Sequence, residues 1–382
     1  MRKSTVILAV LALVGASCTK IQIAESSDSS PSKGAISLSA YTAMPTKAAQ
    51  EDVTTDNFVK FEVTAIGNSA VYFDNVSFKK SGSEANAVWE SDTKYFWPAF
   101  ALDFYAYNTP ENGTFSHSIS TASQTLSFTP STTLAEQEDL VAACVTGKKE
   151  TDNNPKGAIA LSFNHYLTQV IVKAKNSNTT YKVEVDGAKL ANLVGEGTYT
   201  FASEGIGTMA PKADVKNTAA AVDYSTTFAN AKTLSTEAQE VMTEAGNGRW
   251  YLVPQPSEFA AWAQATDSKN TSNGTYLALK VKITANNGAL KIYPASGETS
   301  AWMAIPIDNS KVAFAQGKRY NITVDFFSST GNGAGYVDPE DAGELDGDAQ
   351  TEDNGKKIIG GAIKFDATVS EWGNAVDITI SL

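Results

Sequence analysis

The stretch Ala35-Ile36-Ser37-Leu38-Ser39-Ala40-Tyr41 alternates apolar and polar side chains with a period of two. Ile36, Leu38 and Ala40 share one face, whereas the two serines and Tyr41 share the other. Because successive side chains of a β-strand point to opposite faces, this alternation predicts a strand with one buried face.

The same alternation continues along the chain, for example in Phe58 to Ile66 and Tyr95 to Tyr107. Gly, Asn, Asp and Pro punctuate the apolar runs and provide turn signals between short strands. Helical signal is confined to Leu234 to Ala245 and Ser257 to Ala265. The pattern predicts an all-β protein of the β-sandwich class with minor helical insertions.

The N-terminus predicts export. Arg2 and Lys3 precede an apolar run from Val6 to Val14, and small residues then lead to Cys18. The run is far shorter than the roughly 20 residues that a membrane-spanning helix needs. We therefore expect residues 1–17 to be a signal peptide, Cys18 to be lipidated and residues 18–34 to form a polar tether. An ordinary secretory signal with an unmodified Cys18 is the alternative.

Length predicts two domains, because the exported chain exceeds the roughly 250–300 residues at which a single core stops growing. The polar run from Lys175 to Thr180 separates two sets of predicted strands. We place an N-terminal domain at residues 35–175 and a C-terminal domain at residues 176–382.

Charge and residue types argue against several functions. The net charge of −12 is unsuited to nucleic acid, which needs a basic surface. His117 and His165 are the only histidines in the sequence, which restricts metal clusters and His-based catalytic triads. Cys144 lies in an apolar stretch, where a thiol is inert. We expect no catalytic residue, no cofactor and no metal site; for the acidic stretch 338–353, a bound cation and a solvated loop both remain open.

Two further segments have more than one interpretation. The last residues, Val376, Ile378, Ile380 and Leu382, alternate with polar residues and predict an amphipathic strand, either a closing strand of the second domain or a strand for another sheet. Lys47 lies in Pro45-Thr46-Lys47-Ala48-Ala49, where it is either an incidental surface lysine or a site for a trypsin-like protease.

Several segments, taken in order, resemble one family. They are the Cys18 lipobox, Ile36-Ser37-Leu38-Ser39-Ala40 with Thr46-Lys47-Ala48, Tyr95-Phe96-Trp97-Pro98, Leu161-Ser162-Phe163-Asn164-His165, and Gly317-Lys318-Arg319-Tyr320-Asn321-Ile322-Thr323-Val324. By these segments the chain resembles the fimbrillin family, the type V pilins of Bacteroidales.

The resemblance implies two tandem transthyretin-like β-sandwich domains and export to the outer membrane as a surface-exposed lipoprotein. It also implies removal of an N-terminal strand, here residues 35–47, by an Arg- or Lys-specific protease that cuts between Lys47 and Ala48. The family more often has arginine where this chain has Lys47, so the identity of the protease is open.

The expected function is that of a stalk or tip subunit of a fimbria. Loss of Ile36, Leu38 and Ala40 would leave an apolar groove, and Val376, Ile378, Ile380 and Leu382 of a neighbouring subunit would fill it by donor-strand exchange. The expected partners are other fimbrial subunits, the outer membrane through lipid on Cys18, the protease, and a host or bacterial surface ligand. The alternative is a monomeric outer-membrane lipoprotein that binds glycans through exposed aromatic residues, among them some of the six tryptophans.

Overall fold

The structure is a computed structural model. It describes residues 34–42, 57–81, 88–153, 158–203, 205–212, 221–256, 274–285, 288–294, 299–330, 335–338, 357–358 and 363–372. Among the residues predicted to be functional, Cys18, Lys47, Ala48, Val376, Ile378, Ile380 and Leu382 lie outside these ranges.

Strands dominate the described residues and confirm the predicted all-β class. They are β1 Leu38–Thr42, β2 Lys60–Gly67, β3 Ala70–Ser81, β4 Val88–Ser91, β5 Leu102–Tyr107, β6 Thr114–Ile119, β7 Gln124–Thr129, β8 Val141–Lys148, β9 Ile159–His165, β10 Thr168–Asn176, β11 Tyr181–Val194, β12 Gly197–Thr200, β13 Thr208–Pro211, β14 Ala221–Thr233, β15 Gln239–Glu240, β16 Trp250–Leu252, β17 Tyr276–Ala285, β18 Leu290–Tyr293, β19 Ala301–Pro306, β20 Lys318–Phe326, β21 Tyr336–Val337 and β22 Ile363–Glu371. The described ranges contain two complete 3-10 turns, Leu134–Glu136 and Glu150–Asp152, and one further 3-10 residue, Gly288. No helix in this part of the chain is long and apolar enough to cross a membrane.

The first seven-stranded sheet closes on itself in the order β1-β4-β3-β2-β5-β8-β9. Alternation places its apolar residues inside. In β9, Ile159, Leu161 and Phe163 are buried, whereas Ala160 and Ser162 between them are exposed. The enclosed core is rich in aromatic side chains contributed by several strands.

Two further sheets form a sandwich around a second core. One sheet has the order β15-β10-β20-β22, and β16 also pairs with β10. The other has the order β14-β11-β17-β19-β21, and β18 also pairs with β17. Val170 and Val172 of the first sheet and Leu277 and Leu279 of the second are fully buried in one cluster, as the sandwich prediction requires.

A small sheet connects these two regions. Its order is β13-β12-β7-β6, so it pairs strands from residues 114–129 with strands from residues 197–211. The chain passes from the closed sheet to the sandwich between His165, which ends β9, and Thr168, which begins β10. β10, Thr168–Asn176, therefore crosses the predicted domain boundary between residues 175 and 176, and it pairs with β20 of the sandwich. The boundary itself, which concerns independent folding units, stays a prediction.

The helical prediction for Leu234 to Ala245 is wrong. This segment contains β15 and a bend, and the carboxylate of Glu240 accepts hydrogen bonds from the backbone N–H groups of Thr243 (3.2 Å) and Gly248 (3.3 Å). Local hydrogen bonds in which a side chain accepts from nearby backbone N–H groups compete with helix formation. The second helical prediction, Ser257 to Ala265, lies outside the described residues.

A buried ion pair crosses the outer face of the sandwich. Lys189 of β11 places Nζ 2.7 Å from Oδ2 of Asp338, and the two residues are 5% and 0% exposed. The hydroxyl of Tyr276 donates to Oδ1 of Asp338 at 2.8 Å, and Nζ lies 5.3 Å from the ring centroid of Trp302. The pair therefore combines charge, hydrogen bonding and cation–π contact away from water.

We predict that Lys189→Met destabilises the protein by about 3–5 kcal/mol, because it leaves Asp338 as a buried charge without its cation. The measurement is the free energy of unfolding from denaturant titration. The matched control is Lys182→Met on the same strand, since the pair of Lys182 with Glu184 is partly solvated (46% and 21% exposed). That control should cost less than about 1 kcal/mol. Equal losses for the two variants would contradict the assigned role of Lys189.

Candidate functional site at the first strand

β1 is the strand that closes the seven-stranded sheet. It runs parallel to β9, with register pairs from Leu38↔Ile159 to Thr42↔Phe163, and antiparallel to β4 at Leu38↔Trp89. β8 meets β9 only at Val141↔His165 and Ala142↔Asn164. Within the described chain, residues 159–163 therefore depend on β1 for their strand partner.

The residues before β1 extend its attachment. Gly34 N–H donates to Oε1 of Glu150 at 2.7 Å, and Ile36 N–H donates to the carbonyl of Tyr95 at 2.7 Å. On the other side, Ile159 N–H donates to the carbonyl of Ser37 at 3.0 Å. The attachment therefore reaches from Gly34 to Thr42 and consists largely of backbone hydrogen bonds, which are insensitive to side-chain identity.

The inward face of this segment belongs to the same core as the aromatic side chains of Phe61, Trp89 and Phe163, which we call the aromatic floor. Leu38 is 0% exposed and Ile36 is 7% exposed, and both belong to the core of the closed sheet. In that core, Phe61 packs against Trp89 and Phe163 at centroid distances of 4.8 Å and 5.1 Å. Without β1, these rings would lose apolar cover and β9 would lose its hydrogen-bonding partner. Both losses favour the uptake of another strand.

The structure brings together part of the predicted site. Ile36 and Leu38 lie in the groove core, and Ala40 belongs to β1 at the register position of Leu161. Sequence reasoning missed that β9 is the parallel partner of β1 and that Glu150 holds Gly34. The alternation of Ile159, Leu161 and Phe163 is a signal for the buried face of β9, but alternation does not specify a partner strand.

A second feature lies at the end of β9. His165 places Nδ1 2.6 Å from Oδ2 of Asp139, and its ring stacks on Trp372 at 4.4 Å and 9°. Trp372 also stacks on Tyr251 at 5.3 Å and 6°. His165 is 6% exposed and Asp139 2% exposed, the environment of a structural histidine rather than of a group that meets a substrate.

Other predicted candidates for chemistry have structural surroundings. Cys144 in β8 is half-buried, and burial, with a smaller contribution from Asp103, raises the pKa of its thiol to about 12. In the described residues, no group of three or more His, Cys, Asp or Glu side chains is arranged to hold a metal ion.

The tryptophans do not form a platform for sugars in the described part of the chain. Trp89, Trp97, Trp250 and Trp372 are at most 4% exposed, and Trp302 is half-buried. The sixth, Trp262, lies outside the described ranges. The glycan-binding alternative therefore gains no specific support from these residues.

Comparison with known proteins adds a family and a fold. A family described as fimbrillin-like matches residues 46–335, more than half of the chain. A search among curated proteins finds no match.

Three solved structures are similar to this chain. A fimbrial protein from Bacteroides vulgatus is 15% identical with a TM-score of 0.51, and the alignment covers 88% of this chain and 99% of that one. A candidate cell adhesion protein from Parabacteroides distasonis is 10% identical with a TM-score of 0.47, covering 91% and 98%. Another candidate cell adhesion protein, from Bacteroides uniformis, is 15% identical with a TM-score of 0.41, covering 90% and 100%.

At these identities the Bacteroides vulgatus structure supports a shared fold over nearly the whole of both chains. The family match is independent of that fold comparison and includes β2 to β20, that is, most of both sheet systems described above. The predicted resemblance is thereby confirmed, and the chain belongs to the fimbrillin-like family of fimbrial proteins.

Proposed function

We propose that this chain is a stalk or tip subunit of a surface fimbria that is exported as a lipoprotein on Cys18 and matured by a cut after Lys47. In this proposal the removed segment takes β1 out of its groove. The segment 376–382 of a second subunit then enters the groove, and repetition of this step builds a head-to-tail polymer. The subunit has a structural role and no catalytic one.

The position of β1 carries the proposal. β1 closes its sheet between β4 and β9, yet it is the first described strand of the chain. Lys47 lies in the connection between Thr42, where β1 ends, and Lys60, where β2 begins. A single cut in this connection therefore breaks the covalent link between β1 and the rest of the fold, and it interrupts no other strand of the closed sheet.

The chemistry of the groove supports a strand as its ligand. β9 offers backbone hydrogen bonds along residues 159–163, and the aromatic floor offers apolar contact on every second residue. Val376, Ile378, Ile380 and Leu382 repeat with the same period of two. Burying these four side chains would contribute about 6–12 kcal/mol before the cost of ordering the strand.

The proposed partners follow from these steps. Other copies of the chain or related subunits take the groove, the outer membrane holds the lipid on Cys18 before maturation, and a trypsin-like Arg- or Lys-specific protease acts at Lys47. A host or bacterial surface ligand at the exposed end of the fimbria completes the set.

Lys47→Ala tests the proposed maturation. This variant should prevent the cut and leave β1 in place, so that high-mass polymer disappears from sheared surface material. The measurement is the N-terminal mass of the native protein together with the size of the sheared fraction. The matched control is Lys33→Ala, because a cut after Lys33 would leave residues 35–41 attached. Polymer of normal length from Lys47→Ala would overturn the role assigned to this lysine.

The second prediction concerns the donor strand: Ile378→Asp together with Ile380→Asp should abolish polymerisation but leave a folded subunit. Loss of two buried apolar side chains removes about 3–6 kcal/mol of binding free energy, a decrease of more than about 100-fold in affinity. The amount of high-mass polymer in sheared surface material from cells that make the variant measures it.

The matched control for the donor strand is Thr379→Asp with Ser381→Asp, which adds the same charge to the opposite face of the strand. These variants should polymerise. Deletion of residues 373–382 should reproduce the monomeric result, and polymers like those of the unaltered protein from that deletion would contradict a donor role.

A further inference from the structure

The starting point of the C-terminal segment is fixed in the described structure. Trp372 is 1% exposed, and its ring stacks on the rings of His165 and Tyr251. The backbone N–H of Trp372 donates to the carbonyl of Gly317 at 2.9 Å. The last described residue therefore has a fixed position, and residues 373–382 follow it in the sequence.

That position lies at one end of the subunit's own groove. His165, the stacking partner of Trp372, is the last residue of β9, and β9 is the strand that carries β1. Because β1 runs parallel to β9, its last residue, Thr42, lies at the same end, opposite Phe163. The segment 373–382 thus begins where β1 leaves the groove.

The length of this segment matches the groove. A strand advances about 3.3 Å per residue, so in an extended strand Val376 would lie about 13 Å beyond Trp372. Leu161 lies about the same distance back along β9 from His165. A strand that enters from this end therefore brings Val376 near the position of Ala40, Ile378 near Leu38 and Ile380 near Ile36. A shift by two residues keeps the same face towards the core.

We infer that, once residues 35–47 have left, the segment 373–382 of the matured subunit docks into the groove of that same subunit, antiparallel to β9. The inference rests on the proposed maturation, since the groove opens only when β1 leaves. β1 and the docked segment would occupy the same site but run in opposite directions. β1 runs parallel to β9 and ends near its C-terminal end, whereas the segment would start at that end, next to His165.

Self-docking has a consequence for assembly. A segment tethered next to its site has an effective concentration on the order of 1 mM, so it outcompetes the segments of other subunits in dilute solution. Docking into a second copy requires a comparable local concentration of subunits, such as that at a growing fibre end. The self-docked subunit is therefore a protected monomer whose aromatic floor stays covered until assembly.

Disulfide trapping tests the inference. The chain carries Ile159→Cys with Ile378→Cys or Ile380→Cys, and a site for a sequence-specific protease replaces residues 45–49, so that the groove opens whichever protease acts in nature. After cleavage at low micromolar concentration, release of the fragment is verified by mass and the protein is oxidised. We expect a cross-link within monomers, with a yield that does not depend on protein concentration. The uncleaved chain should give no such product, because β1 occupies the groove.

The control replaces the second cysteine by Thr379→Cys, whose side chain lies on the other face of the strand, and the yield should fall about tenfold. Cross-links only between subunits would overturn self-docking and leave donor-strand exchange intact. Cross-links neither within nor between subunits would overturn both. Retention of the cleaved fragment in the monomer would also overturn self-docking. If the N-terminal mass of the native protein shows no cut after Lys47, only the proposed maturation is overturned.

Discussion

The parallel pairing of β1 with β9 is the interaction on which the rest of the structure depends. It closes the seven-stranded sheet, gives residues 159–163 of β9 their hydrogen-bonding partner and covers the aromatic floor with Ile36 and Leu38. None of these contacts is local in sequence, since about 120 residues separate the two strands and closure over such a distance is entropically costly. β1 is thus joined to the closed sheet mainly by backbone hydrogen bonds and alternating apolar contacts, which any strand with a similar alternation can reproduce.

The end of β9 extends this constraint to the remainder of the molecule. There, Asp139 holds His165, His165 stacks on Trp372, and Trp372 directly follows the edge strand β22 of the sandwich. The small sheet formed by β6, β7, β12 and β13 joins segments that precede and follow this junction. The two sheet systems therefore share a buried aromatic contact as well as the covalent connection from His165 to Thr168. The position of Trp372, after which the C-terminal segment follows, is tied to β9, the strand that pairs with β1.

Much of the fold was predictable because alternation is a local property. The buried faces of β1 and β9 follow from residues such as Leu38 and Leu161, and the all-β class follows from the number of such segments. Partners are not local, so neither the parallel match of β1 with β9 nor the pair of Lys189 with Asp338 carried a signal in the sequence. The helical prediction for Leu234 to Ala245 failed because Glu240 binds nearby backbone N–H groups instead of solvent. At the candidate site, the sequence predicted strand β1 but not its partner strand β9.

The pair of Lys189 and Asp338 links two segments of the sandwich that are not neighbours in their sheet. Lys189 stands on β11, Asp338 follows β21, and β17 and β19 lie between them in the sheet. Sliding any of these strands along its neighbour would separate two opposite charges that are 5% and 0% exposed, and separating buried charges is costly. The contact therefore opposes relative sliding of β11, β17, β19 and β21, four strands of one sheet, through a single pair of side chains.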